Sequence, residues 1–314
     1  VINIVDDAEK KPKVSVVIPT YNRAHTLDRA IKSILGQTFN DLELIIVDDG
    51  STDNTIEVVS SVNDPRIRYI RHDSNQGANA ARNTGIKTAC AEFVAFQDSD
   101  DEWLPEKLEK QVGVLEATSH EVAAVYTGFL RLKGDEVTYI PGDHISKKEG
   151  YIHQQLLKGN FITTQTVLAR RQCIVDCGMF DEEMPRLQDW DLWIRIARNY
   201  RFSYINEPLV RAYHTQDSIS KNMAAYDAAM GRIIAKYRDD YLRYPNTACR
   251  ILRFYALIKI NGDEIALARK YLWESFFVKP NIKSLVSLGA SLFGSKMYLK
   301  LWKTWLNWRN SRFF

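Results

Sequence analysis

The chain predicts an α/β fold, a Rossmann-like and mainly parallel sheet flanked by helices, with a helical C-terminal extension. Three observations carry that expectation. Short β-branched runs alternate with helical periodicity through the first third. Several of these runs stop abruptly at polar or acidic turns. After about Ser220 the pattern becomes wholly helical. The expected division is 1–220 for the α/β domain and 221–314 for a helical region, a size consistent with 314 residues.

The elements follow in order. "VSVVIPT" (Val14 to Thr20) is a buried strand closed by Pro19. "HTLDRAIKSILGQ" places Leu27, Ala30, Ile31, Ile34 and Leu35 at helical spacing. "LELIIVDDGS" is a second strand ending on two aspartates, and "STDNTIEVVSSV" a helix capped by Ser51 or Thr52. "IRYIRH", "NQGANAARNTGIKTA" and "EFVAFQD" read as strand, helix and strand. Strand–helix–strand units with right-handed crossovers bring the carboxyl ends of the strands to one edge, where open α/β sheets bind ligands. Val122 to Leu132 reads as a further strand and Lys133 to Gly150 as a hairpin or loop. "FSYINEPLVRAYHT" reads as a strand pair broken at Pro208. "ALIKINGDEIALARKYLWESFFVKPN" reads as two helices joined at Asn261–Gly262, like one tetratricopeptide unit.

Composition excludes several classes. Hydrophobic residues make up 45% of the chain and the formal net charge is +3, so disorder is not expected. Four cysteines, Cys90, Cys173, Cys177 and Cys249, form no CxxC pair. Reduced thiols are therefore expected rather than a zinc site or disulfide framework. No apolar leader and no spanning segment is visible, so a cytoplasmic location is expected. Neither GxGxxG after the first strand nor GxxxxGK[ST] occurs, which disfavours dinucleotide-binding and P-loop proteins.

Three turns converge on the ligand edge: Thr20–Tyr21–Asn22, Asp48–Asp49 and Asp98–Ser99–Asp100–Asp101. Like charges crowded at a strand end are costly unless solvated or paired with a cation. In "QDWDLWIRIARNY", Asp189 shares a helix face with Trp193, Ile196, Ala197 and Tyr200, at the edge of an apolar stripe. Burial there raises a carboxylate pKa toward a base's working range. Asp191 shares its face with Arg195 and Arg198, the pattern of a solvated, ion-paired surface.

These stretches, with "LELIIVDDGSTDNT", "NQGANAARNTGI", "FVAFQDSDDEW" and "QDWDLWIRIA" in that order, resemble successive motifs of family 2 glycosyltransferases with the A-type fold, over roughly residues 13 to 220. The resemblance implies an inverting transfer of a sugar from a nucleotide diphosphate sugar, UDP-sugars favoured, to an acceptor hydroxyl. The setting it implies is cell-surface glycan or polysaccharide assembly. It implies a DxD metal turn at Asp98–Ser99–Asp100, with Asp100 the Mn2+ or Mg2+ ligand and Asp98 on the ribose or metal. Asp101 orients the sugar or supports the turn. Hard oxygen ligands suit these ions, and phosphate oxygens complete the shell. It implies base reading by Asp49, packing of base and ribose near Pro19, Thr20 and Tyr21, and diphosphate contacts from Arg82 and Arg211. Asp189 matches the catalytic base, although Gln188 stands where the family has Glu. His214 is a further candidate metal ligand, and Trp103 either lines the acceptor pocket or is core. Gly77 and Gly85 read as backbone devices.

Two alternatives stay open: a nucleotidyltransferase-like protein, and a catalytically silent nucleotide-sugar-binding subunit of a glycan assembly complex. After Glu274 no acidic residue occurs, while seven Lys or Arg follow. On a helical wheel, "KMYLKLWKTWLNWRN" sets Tyr298, Leu301, Trp302, Trp305 and Leu306 opposite Lys296, Lys300 and Lys303. Residues 296–312 therefore fit either an anionic membrane surface, with a lipid-linked glycan as acceptor, or packing on protein. A nucleic-acid partner is not expected from one short basic tail on a near-neutral body.

Overall fold

The computed structural model describes residues 11–142, 145–213, 222–300 and 302. The chain separates into two compact units: 1–183 with 188–218, and 184–187 with 219–314. In the first unit, strands β1 (Val14–Thr20), β2 (Leu42–Asp48) and β3 (Ile67–Arg71) alternate with helices α1 (Ala24–Leu35), α2 (Thr55–Ser60) and α3 (Ala78–Thr88), leading to β4 (Phe93–Phe96). After β5 (Glu102–Trp103) and α4 (Lys107–Glu116) come β6 (Val122–Lys133) and β7 (Glu136–Ile140), which form a hairpin. Then follow α5 (His153–Lys158), a short 3-10 turn, β8 (Val167–Arg170), α6 (Arg171–Asp176), α7 (Gln188–Asn199) and β9 (Arg201–Tyr213).

The described residues form one nine-stranded sheet, ordered β3-β2-β1-β4-β8-β6-β9-β5 with β7 beside β6. β1, β2, β3 and β4 pair in parallel, as do β6 and β9, whereas β8 runs antiparallel to both β4 and β6. β1 and β2 are buried along their whole length because both faces are covered. One face, with Val14, Val16, Ile18, Leu44 and Ile46, packs on Leu27, Ala30, Ile31 and Ile34 of α1. On the other, a Cβ at Gly85 of α3 would come within 2.3 Å of a Val17 methyl. Glycine there lets α3 lie directly on β1.

Register sets the height of the ligand edge. Thr20 pairs with Asp48 and Val17 with Phe96, so the turns after β1, β2 and β4 open side by side. Two expectations need correction. Helix α2 begins at Thr55 with Asn54 at its N-cap position, rather than being capped by Ser51 or Thr52. The segment 201–213 is a single strand, and its register on β6 shifts between Ile205 and Pro208. The irregularity places Pro208 where its missing N–H breaks no regular ladder.

The second unit is helical: α8 (Met223–Lys236), α9 (Arg238–Arg243), α10 (Pro245–Asn261), α11 (Ile265–Val278) and α12 (Ile282–Ser291). Ala256, Ile260, Ala268, Leu272, Leu288 and Tyr298 form its core, with Trp302 packed against it. Asn222 and Asn281 cap α8 and α12 by accepting the N–H of Ala225 and Ser284.

Candidate active site

The acidic turn leaves β4 through Gln97, whose N–H bonds the Val17 carbonyl. Asp98 then meets Arg82 of α3, Nη2 to Oδ1 at 2.7 Å. Arg82 is 5% exposed, and its buried Nε and Nη1 have no hydrogen-bond partner. A buried cation with two unspent donors is costly unless an anion answers it. The Phe180 ring lies 5.6 Å from the guanidinium. Asp98 keeps a side chain that is 31% exposed.

Arg29 of α1 braces the next step of the turn. It donates to the Asp100 carbonyl and stacks on the Tyr213 ring, 3.9 Å to the centroid. Asp101 is buried and accepts the Tyr213 N–H at 3.1 Å. Burial, with the charges of Asp98 and Asp100 beside it, pushes its carboxyl well above the usual range. Asp101 thus ties the turn to β9, the supporting one of its two expected roles. Trp103 is core: it is 2% exposed, donates to the Gln165 carbonyl, and carries the Lys107 ammonium 3.6 Å from its ring. Arg211 faces Glu102 across the β5–β9 pair in a loose 3.4 Å contact.

Asp49 is 2% exposed, and its carboxylate is already well supplied. Oδ1 meets His72 Nδ1 at 2.7 Å and the Gln76 N–H at 2.9 Å, and Oδ2 accepts the Gly77 N–H at 2.7 Å. Three of about four lone-pair positions are taken, which leaves one to read a ligand. Gly77 has φ of +96°, so glycine supplies the turn that aims these amides. Asp48, by contrast, is structural, fully buried between the Ser51 N–H and the Tyr69 hydroxyl. Pro19 lies in the buried β1, Thr20 Oγ1 is buried without a partner, and Tyr21 is 44% exposed. Asn22, at φ of +52°, accepts the Thr52 N–H and so joins the first turn to the second. Ser99 is buried.

Asp189 stands in the first turn of α7, half-buried. It accepts Asn160 Nδ2 at 3.0 Å and the Trp190 N–H at 2.8 Å. Burial pushes its carboxyl up to about 6, against the opposing pull of those two bonds. The charges of Arg82 and Asp98 reach it as well, the first lowering and the second raising its pKa. Asp189, Arg82 and Asp98 are therefore within electrostatic range of one another. The other aspartate of α7 corrects an expectation. Asp191 is fully buried, not solvated, and ion-pairs with Arg195 at 2.8 Å. Arg195 also donates to the carbonyls of Cys177 and Met179, so the loop after α6 roofs the pair.

Asp98 and Asp100 supply two hard carboxylates on one turn, a partial shell that suits Mg2+ or Mn2+ when phosphate oxygens add the rest. Among the described residues no group of three or more His, Cys, Asp or Glu side chains is gathered to hold a metal ion. His214 lies outside the described residues. The cysteines of the described residues are free thiols. Sequence reasoning missed Arg29, His72 and Asn160. For His72 a signal existed, since it follows β3 at the same edge.

Comparison with known proteins places this geometry in context. The family described as glycosyl transferase family 2 matches residues 15–177. A UDP-Glc:alpha-D-GlcNAc-diphosphoundecaprenol beta-1,3-glucosyltransferase of Escherichia coli is 31% identical over 211 residues, 67% of this chain and 80% of that protein. A GalNAc(5)-diNAcBac-PP-undecaprenol beta-1,3-glucosyltransferase of Campylobacter jejuni is 30% identical over 309 residues, 93% and 97% of the two chains. An uncharacterized glycosyltransferase of Rickettsia felis is 33% identical over 217 residues, and the aligned region spans only 36% of its length. The fold is shared with S. aureus TarS 1-349 in complex with UDP-GlcNAc, at a TM-score of 0.64 and 20% identity over 89% of this chain and 79% of that one. It is shared too with a Pyrobaculum calidifontis mannosyltransferase in complex with GDP-Man and Mn2+, at 0.61 and 18% over 95% and 85%.

Proposed function

The chain belongs to glycosyl transferase family 2 and has its A-type fold, and from that premise we propose an inverting, metal-dependent transfer of a sugar from a UDP-sugar to a glycan hydroxyl. The observation that carries the reading is Arg82. Its buried, half-satisfied guanidinium holds the acidic turn on one side and leaves two donors for an anion on the other. A diphosphate answers both, and Arg211 adds charge at the β9 side.

In this reading Asp49 spends its remaining lone pair on the N3–H of uracil. Tyr21 covers the base, while Pro19, Thr20 and Ser99 line the seat. Asp98 and Asp100 would hold Mn2+ or Mg2+, and His214, outside the described residues, is a further candidate ligand. When bound, the ion neutralises charge that builds on the leaving diphosphate. Asp189 takes the proton from the acceptor hydroxyl. That oxygen bonds to the anomeric carbon as the carbon–phosphate oxygen bond breaks, and the nucleoside diphosphate departs with the electron pair. One displacement inverts the centre and needs no covalent enzyme intermediate.

The acceptors named for the Escherichia coli and Campylobacter jejuni relatives are carried on undecaprenol diphosphates. A lipid-linked glycan acceptor, met at the inner face of the cell membrane, fits the basic segment 296–312. No helix among the described residues is long and apolar enough to cross a membrane.

A thermal-shift panel of nucleotide sugars with and without Mn2+ tests the reading. A UDP-sugar with Mn2+ should raise Tm by more than the two separate shifts together. A flat response to every donor, with and without the ion, would sink it. Release of pyrophosphate instead of a nucleoside diphosphate would transfer the case to a nucleotidyltransferase.

A further inference from the structure

Helix α12 is inside out. Its inward positions are Ser284 and Ser291, both fully buried, and Leu288 at 7% exposure. The serines are satisfied there. Ser284 Oγ lies 2.8 Å from Ser275 Oγ, Ser291 Oγ donates to the Leu288 carbonyl, and Arg269 donates to the Ser291 carbonyl. The outward positions are Ile282, Leu285 and Val286, exposed by 70%, 50% and 62%. The same side continues, at helical spacing, into Leu292 and Phe293, each 72% exposed. On α11, Phe277 is 74% exposed, with its ring stacked 5.7 Å from that of Trp273. An ordinary surface helix turns these residue types the other way. Single exposed apolar residues need no explanation, but a run along two successive helices does.

Charge decides what covers this face. No acidic residue follows Glu274, and Lys279 and Lys283, just before and within α12, are both exposed. A two-fold contact with a second copy would set these lysines against the same basic patch with no carboxylate of that stretch to answer them. Anionic headgroups answer both lysines, whose stems can lie along apolar surface while their ammonium groups reach phosphate. Tyr298 and Trp302 do not belong to this face: Tyr298 is 4% exposed in the helical core and Trp302 packs against it.

We propose that the outward face of α11 and α12 docks on an anionic phospholipid bilayer. Phe277, Leu285, Val286 and Phe293 enter the boundary between headgroups and acyl chains, and Lys279 and Lys283 meet lipid phosphates. This deepens the reading of a lipid-linked acceptor by naming the surface that meets the lipid, but it stands on exposure and charge in the second unit alone.

Co-sedimentation of the full chain with vesicles tests it. The chain should bind vesicles of phosphatidylglycerol and phosphatidylethanolamine about tenfold more tightly than pure phosphatidylcholine, and salt should weaken the binding. The exposed double variant Val286→Ser with Phe293→Ser, and separately Lys279→Glu with Lys283→Glu, should each lose about tenfold on anionic vesicles. Both should keep the wild-type circular dichroism. Absence of wild-type binding, or variants that bind as wild type, overturns the proposal. A dimer in analytical ultracentrifugation that the Val286/Phe293 variant dissolves also overturns it, because the face would then belong to a second copy. Vesicle binding that persists while no nucleotide sugar shifts Tm would count against the donor reading and leave this one standing.

Discussion

Asp189 has a carboxyl raised to about 6 by burial, while Asn160, the Trp190 amide and Arg82 pull it down. A base must be ionised to accept a proton, so the rate of transfer should rise with pH along a limb centred near 6. Asp189→Asn should cut turnover by about 100- to 10,000-fold and spare donor affinity, checked by steady-state kinetics beside calorimetric titration of UDP-sugar. Near-full turnover in that variant would remove the base assignment. Stability follows the same titration. The folded state holds this proton between the ordinary carboxylate value and about 6, so the contribution is present at low pH and is lost as pH rises through that window. The variant should therefore lose less Tm than wild type across it. Asp189 was legible from its place beside an apolar helical stripe. Asp191 was misread because a helical wheel sees the i, i+4 partner Arg195 but not the Cys177–Met179 loop that roofs the pair. Nor does a wheel show that Asp49 spends three lone-pair positions within the protein, since its donors come from positions 72 to 77.

Among elements, the β–α alternation was readable because each strand is a short apolar run and each helix keeps its period. The close approach of α3 to β1 shows a finer constraint. Gly85→Ala sets a methyl 2.3 Å from a Val17 methyl, so the helix must lift from the sheet. Urea unfolding should show a loss of about 1–3 kcal/mol, and Val17→Ala in the same chain should restore part of it. An Ala variant as stable as wild type would show that α3 lifts at no cost. The single run of β9 through Pro208 was not readable. A proline within a strand pattern signals interruption, and only the partner strand shows a register that absorbs it. The antiparallel insertion of β8 between β4 and β6 was equally hidden, because strand order depends on contacts far apart in sequence.

At the scale of the whole molecule, two units carry separate apolar cores, one around β1, β2 and α1 and the other around α10 and α11. Heat unfolding should therefore depart from a single two-state transition in scanning calorimetry, and UDP-sugar with Mn2+ should move only the component owed to the first unit. One cooperative peak that shifts as a whole would refute this. Within that first unit, Asp49 pins the end of β2, His72 beyond β3 and the amides at the head of α3 into one piece. The acidic turn is held from three elements at once: by Arg82 of α3, by Arg29 of α1 and, through Asp101, by the Tyr213 N–H of β9. Chimaeras are constrained accordingly: a segment from β2 to α3 must be exchanged between kindred chains as a block, and the stretch from Gln97 to Trp103 must travel with its distant partners Arg29, Arg82 and Tyr213.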